Sequence, residues 1–139
     1  MNRSNKLTLV LLLTIVLGVA WVLRGHNTPC KDYKTVDVEA FHRLISGSDS
    51  VVLLDVCTAS EYEDAYLKGS LLIDYKADSF KSAALSRLPK NKTIAVYCRS
   101  GIRSASAAEF LSKEGYKVVN MEGGTDAWIE AGKPVLSKN

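Results

Sequence analysis

The chain has 139 residues, with 18 Lys and Arg against 15 Asp and Glu and a formal net charge of +3. Three of the basic residues, Arg3, Lys6 and Arg24, precede residue 31, so from there on 15 basic side chains face 15 acidic ones, and this neutral body argues against a nucleic-acid surface. Beyond an apolar leader about 110 residues remain, enough for one domain with a single core and too few for two, and the low Pro content and absence of long polar tracts exclude a disordered chain.

Residues 7–23 carry no charge and follow a short cationic start, as in an export signal. Two forms fit. One is a cleaved signal peptide with residues 7–17 as its apolar core and Gly18, Val19 and Ala20 as a small-x-small cleavage site. The other is an uncleaved anchor with Trp21 and Arg24 at its interface end. As a helix, residues 7–23 would reach roughly 25 Å, slightly short of a hydrocarbon core of about 30 Å. The organisation is therefore a signal peptide or N-terminal membrane anchor over 1–24, a linker over 25–34 containing Pro29, and a folded domain over 35–136. Either form sends the domain to the periplasmic or secretory face of the cell envelope, tethered to the membrane or soluble after cleavage.

In the body, strand-sized apolar runs occupy residues 51–56, 70–73, 93–97 and 117–120, with a fifth at 35–36. Between them lie helical segments at 38–45 with Asp37 as N-cap, a short turn at 60–65, and helices at 79–88 before Pro89, 101–114 and 125–130. This alternation predicts an α/β fold whose parallel sheet is covered by helices on both faces. The 101–114 helix places Ser104, Ala107, Ala108 and Leu111 on one face, and Gly115 supplies a left-handed residue to end it.

The chemistry concentrates where the 93–97 strand runs into Cys98, a Gly-containing loop and a helix. First-turn N–H groups at such a junction have no intrahelical partners, and the helix dipole adds partial positive charge, so an anion is favoured there. A thiolate is such an anion. With Arg99 and Arg103 nearby, the Cys98 thiol is expected below its free pKa, which makes it a candidate nucleophile; the alternative is a buried structural Cys at a strand end.

The stretch Cys98-Arg99-Ser100-Gly101-Ile102-Arg103 resembles the active-site loop of the rhodanese (thiosulfate sulfurtransferase) family. The resemblance extends over residues 33–134. Asp55-Val56 with Glu61-Tyr62 is similar to the family's Asp-Val-Arg … Glu-Tyr element, and Gly123-Gly124 with Ala127-Trp128 to its Gly-Gly-x-x-x-Trp element. The resemblance implies a central parallel sheet of five strands and a sulfurtransferase whose Cys98 carries a sulfane sulfur as a persulfide. It moves from a donor such as thiosulfate to cyanide or a thiol. N–H groups of residues 99–103 would stabilise the transferred sulfur, with Arg99, Ser100, Gly101, Ile102 and Arg103 binding the anionic substrate. Gly101 would turn with φ > 0. No metal or organic cofactor is needed for this chemistry, and the expected partners are small sulfur-containing anions and thiol acceptors, with the membrane added if the leader persists.

Two other readings are weighed against it. A phosphatase of the Cys-x5-Arg type requires Arg at position 104, where this chain has Ser104, and Arg103 stands one residue early. A sensing module would hold a persulfide or oxidised thiol on Cys98 without turnover. Departures from the family pattern are Cys57 where Arg is usual and Ala65-Tyr66-Leu67 where Gly-His-Ile is usual. Cys57 is either a redox partner of Cys98 or an unpaired buried thiol. Cys30, after Asn27-Thr28-Pro29, follows no lipobox and reads as an exposed or intermolecularly paired thiol. Nothing near His26 or His42 suggests a ligand set, and Trp128 reads as a packing residue.

Overall fold

The computed structural model describes residues 32–139. The leader, the linker thiol Cys30 and His26 lie outside the described residues. Five strands, β1 (Lys34–Val36), β2 (Val51–Asp55), β3 (Leu71–Leu72), β4 (Thr93–Tyr97) and β5 (Lys117–Met121), form one sheet. Five helices alternate with them: α1 (Val38–Ser46), α2 (Ala59–Asp64), α3 (Phe80–Arg87), α4 (Ile102–Lys113) and α5 (Gly124–Glu130). The strand order is β1-β5-β4-β2-β3, and every pairing is parallel. This is the predicted architecture.

β4 is the central strand. Asp55 of β2 registers with its Tyr97, and Asn120 of β5 with its Val96. Because side chains alternate along a strand, β4 serves two cores. Ile94 and Val96 pack with Leu54, Phe80, Ala107, Ala108 and Leu111 on the α3 and α4 side. Ala95 and Tyr97 pack with Leu53, Phe41, Met121 and Trp128 on the α1 and α5 side. Cys98 belongs to the first core, one step beyond the strand, so its sulfur sits under α4.

The helix boundaries have local causes. Asp37 caps α1 by accepting from the Ala40 N–H at 2.8 Å. α4 ends as the sequence predicts: Gly115 takes φ +85°, its N–H bonds the Ser112 carbonyl, and the Tyr116 N–H reaches the Leu111 carbonyl. The buried face of α4 is Ser104, Ala107, Ala108 and Leu111, as read from its periodicity.

Four elements differ from expectation. The turn expected at 60–65 is a helix from Ala59, because Thr58 and Glu61 form a reciprocal capping box. α4 starts at Ile102 because Gly101, at φ +90°, is its N-cap. β2 and β3 are shorter than their apolar runs. Beyond Asp55 the chain turns, with the Cys57 N–H held by Asp55 Oδ1 at 2.8 Å, and Ser70 is drawn into a turn with Leu67.

Fully buried alanines at 107 and 108 set how closely α4 lies on β4. Ala107→Leu is expected to lower stability by about 1–3 kcal/mol through overpacking. Urea unfolding with an unchanged m-value checks it.

Candidate functional site

Cys98 begins the connection from β4 to α4, and its Sγ accepts from the N–H of Gly101 at 3.1 Å and of Ser104 at 3.4 Å. Both donors belong to the turn that opens α4, where backbone N–H groups have no carbonyl above them. The arrangement matches an anionic sulfur. It also differs from the sequence reading in two respects. Ser104 lies outside the 99–103 segment expected to supply the donors, and Cys98 is 0% exposed, the burial that the sequence reading attached only to the alternative of a structural Cys.

The loop is fixed from behind by α5. The Thr125 N–H bonds the Cys98 carbonyl at 2.8 Å, the Thr125 hydroxyl adds a second bond to it at 3.1 Å, and the Asp126 N–H bonds the Arg99 carbonyl at 3.0 Å. Such closeness requires Gly124, whose added Cβ would stand 2.2 Å from the Cys98 carbonyl oxygen and 2.5 Å from that of Arg99. Gly101 is similarly constrained, since a Cβ there would meet the Gly123 nitrogen at 3.0 Å. Thus the Gly123-Gly124 element, noted from sequence as a family likeness, is the seat of the loop.

The two arginines are placed differently. Arg103 makes a bidentate pair with Glu61, at 2.7 and 2.8 Å, with its side chain 17% exposed. Arg99 is 64% exposed and 3.5 Å from Asp126. The expectation that both guanidinium groups are free to hold a substrate anion therefore meets a structure in which Arg103 is already committed to a carboxylate. Ser100 and Ile102 point outward, Ile102 being 74% exposed.

Glu61 is the residue that sequence reasoning left without a role. Thr58 holds it from one side through its N–H at 2.9 Å and hydroxyl at 3.0 Å, and Arg103 holds it from the other. The Arg103 guanidinium, opposed by burial and helped by Thr58, lowers the Glu61 pKa from about 4.5 to about 2. Asp55 behaves oppositely, since its burial raises its pKa despite the Cys57 N–H on one oxygen.

Cys57 and Cys98 are both free, buried thiols within one apolar cluster. Burial, with Asp55 and Glu61 beside it, pushes the Cys57 thiol far up from its ordinary value, so it stays protonated at neutral pH. It lines a cleft of about 140 Å³ beside the loop, together with Glu61, Asp64, Arg99, Thr125 and Asp126. His42 stands elsewhere, edge-on to Trp128 at 5.4 Å, and Trp128 is buried with its Nε1–H on the Pro134 carbonyl at 3.0 Å.

Comparison with known proteins places this geometry. The family described as Rhodanese-like domain matches residues 37–131. A protein named sulfurtransferase from Allochromatium vinosum is 29% identical over 103 residues, covering 73% of this chain and 94% of its own. A putative sulfurtransferase of Bacillus subtilis is 29% identical over 103 residues, covering 74% and 97%. The crystal structure of a rhodanese-related protein from Thermoplasma volcanium is 32% identical, with a TM-score of 0.63 over 75% of this chain and 98% of that one.

Three outcomes follow from the geometry. Gly124→Ala should destabilise the domain and displace the Cys98 loop, read as a lower Tm with faster alkylation of the otherwise buried thiol. Because the folded-state pKa of Glu61 is depressed, its pairing stabilises fully above the ordinary carboxylate value and fades as pH falls toward about 2. Glu61→Gln should therefore cost about 1–3 kcal/mol at neutral pH and flatten the acid limb of a Tm–pH curve. Peptide mapping after mild oxidation at neutral pH should recover Cys57 unlinked, because burial and the nearby carboxylates disfavour the thiolate that pairing needs, and recovery of a Cys57–Cys98 peptide would instead make Cys57 a redox partner.

Proposed function

Because the chain belongs to the rhodanese-like domain family, we propose that it is a sulfurtransferase in which Cys98 carries a sulfane sulfur, as a persulfide, from a donor to a thiophilic acceptor. The observation that carries this reading is the Cys98 sulfur facing the N–H groups of Gly101 and Ser104 at the opening of a 12-residue helix. The names of the relatives support sulfur transfer as the class of activity. Thiosulfate as donor, and cyanide or a thiol as acceptor, are the finer proposal.

In the loading step the Cys98 thiolate attacks the outer sulfur of thiosulfate. The bond between the two sulfurs of the donor breaks, and sulfite leaves with the electron pair. In the discharge step an acceptor anion attacks the outer sulfur of the persulfide, and the pair of the breaking S–S bond returns to Cys98. Negative charge moves between adjacent sulfurs in both steps, so preorganised amide donors and the α4 dipole stabilise it without rearrangement. Arg99, exposed at the rim of the cleft, is the guanidinium that meets an incoming anion. Arg103, locked on Glu61, supplies stiffness to the first turn of α4.

The apolar segment at residues 7–23 supports a further part of the reading, export of the domain to the cell envelope as an anchored or processed protein. N-terminal sequencing of the mature protein distinguishes the two forms. The activity is tested by thiocyanate formation from thiosulfate and cyanide. The wild type is expected to turn over and Cys98→Ser to fall to background. Arg99→Ala should raise KM for thiosulfate about threefold to tenfold with kcat nearly unchanged, because an exposed charge contributes to ground-state and transition-state binding alike. A persulfide that forms on Cys98 without turnover would favour the sensing module instead.

A further inference from the structure

Among the described residues three buried side-chain atoms have no hydrogen-bond partner: Asp55 Oδ2, Asn120 Oδ1 and Ser104 Oγ. The first two belong to side chains that are otherwise engaged, Asp55 through Oδ1 on the Cys57 N–H and Asn120 through Nδ2 on Thr35. Ser104 is different. The hydroxyl is the only polar group of its side chain, the residue is 0% exposed, and that oxygen neither donates nor accepts. The same helical face carries Ala107 and Ala108, so alanine would fill such a position without an orphaned group. An unmade buried hydrogen bond is a cost that native chains avoid except where something else uses the group.

What lies beside Ser104 supplies that use. Its own backbone N–H points at Cys98 Sγ at 3.4 Å, so the hydroxyl is carried by a residue already in contact with the reacting sulfur. We infer that the Ser104 hydroxyl is a catalytic donor that bonds Cys98 Sγ whenever that sulfur bears full negative charge, above all as it leaves the persulfide. The inference rests on the sulfurtransferase reading and names one more participant in it.

The step balances without an outside proton or oxidant. Cyanide attacks the outer sulfur of the persulfide anion, a carbon–sulfur bond forms, and the S–S bond breaks with its pair passing to Sγ. Two monoanions enter, and two leave, thiocyanate and the Cys98 thiolate. The Ser104 proton stays on its oxygen, and the side chain turns about its Cα–Cβ bond to bring that oxygen against Sγ, which is not its partner in the resting geometry. A hydroxyl that is unpaired before charge arrives, and paired after it, favours the charged sulfur over the neutral one, which is the requirement for accelerating its departure.

Ser104→Ala tests this. The chain should fold with an equal or higher Tm, since the variant removes an unsatisfied group from a site of alanine size. Discharge of a preloaded Cys98 persulfide to cyanide, followed by stopped flow, should slow roughly 10- to 100-fold, the range of a hydrogen bond to a charged group. Alkylation of resting Cys98 at about pH 6 should slow in the same direction. A discharge rate equal to the wild type's overturns the proposal. If the wild type takes up no sulfur from thiosulfate, the sulfurtransferase reading falls separately, and an alkylation rate unchanged by Ser104→Ala then overturns the role of the hydroxyl as well.

Discussion

The carbonyls of Cys98 and Arg99 accept from the N–H groups of Thr125 and Asp126, and the shape of the Cys98 loop depends on that contact. A trans peptide is planar, so turning those two carbonyls toward α5 turns the N–H groups of Arg99 and Ser100 away from it. The loop is thereby bent around its own cysteine sulfur. Gly124 permits the approach by lacking a side chain, and Gly101 completes the bend with φ +90°. α5 therefore belongs to the site although none of its side chains reaches the sulfur through a hydrogen bond described above.

Electrostatics around the sulfur are more balanced than a count of arginines suggests. Glu61 takes the charge of Arg103 into a bidentate pair, and Asp126 stands near Arg99. The first pair is rigid and largely covered, so it ties α2 to the opening turn of α4 across 42 residues of sequence. The second is exposed and screened. One arginine thus stiffens the site while the other remains responsive to what arrives from solvent. Asp55 and Glu61, two carboxyls close to the Cys57 thiol, are driven in opposite directions, the former by burial and the latter by its cation.

The sheet, its alternation with helices and the buried face of α4 were legible because each depends on local periodicity. Cys98 was legible because strand end, glycine and basic residues fall within six positions. Burial of its sulfur was left open, since the sequence allowed both a nucleophile and a buried structural Cys, and it is decided by the core that forms beneath α4. The commitment of Arg103 was not legible, since its partner stands in another helix and its own neighbours give no hint of it. A signal for Glu61 existed: Thr58 three residues before it is a capping box, which also would have turned the expected turn at 60–65 into α2. Ser104 could be assigned to the buried face from sequence, but its lack of a partner is visible only once every neighbour has a position.

The sheet order has one more consequence. The outermost strands, β1 and β3, contain three and two residues, while the three long ones lie between them. A body with as many acidic as basic side chains has little mutual charge repulsion to keep its copies apart. Brief borders leave few unpaired backbone groups on which a neighbouring chain could build, so this domain resists templated aggregation by the geometry of its margins and not by its charge.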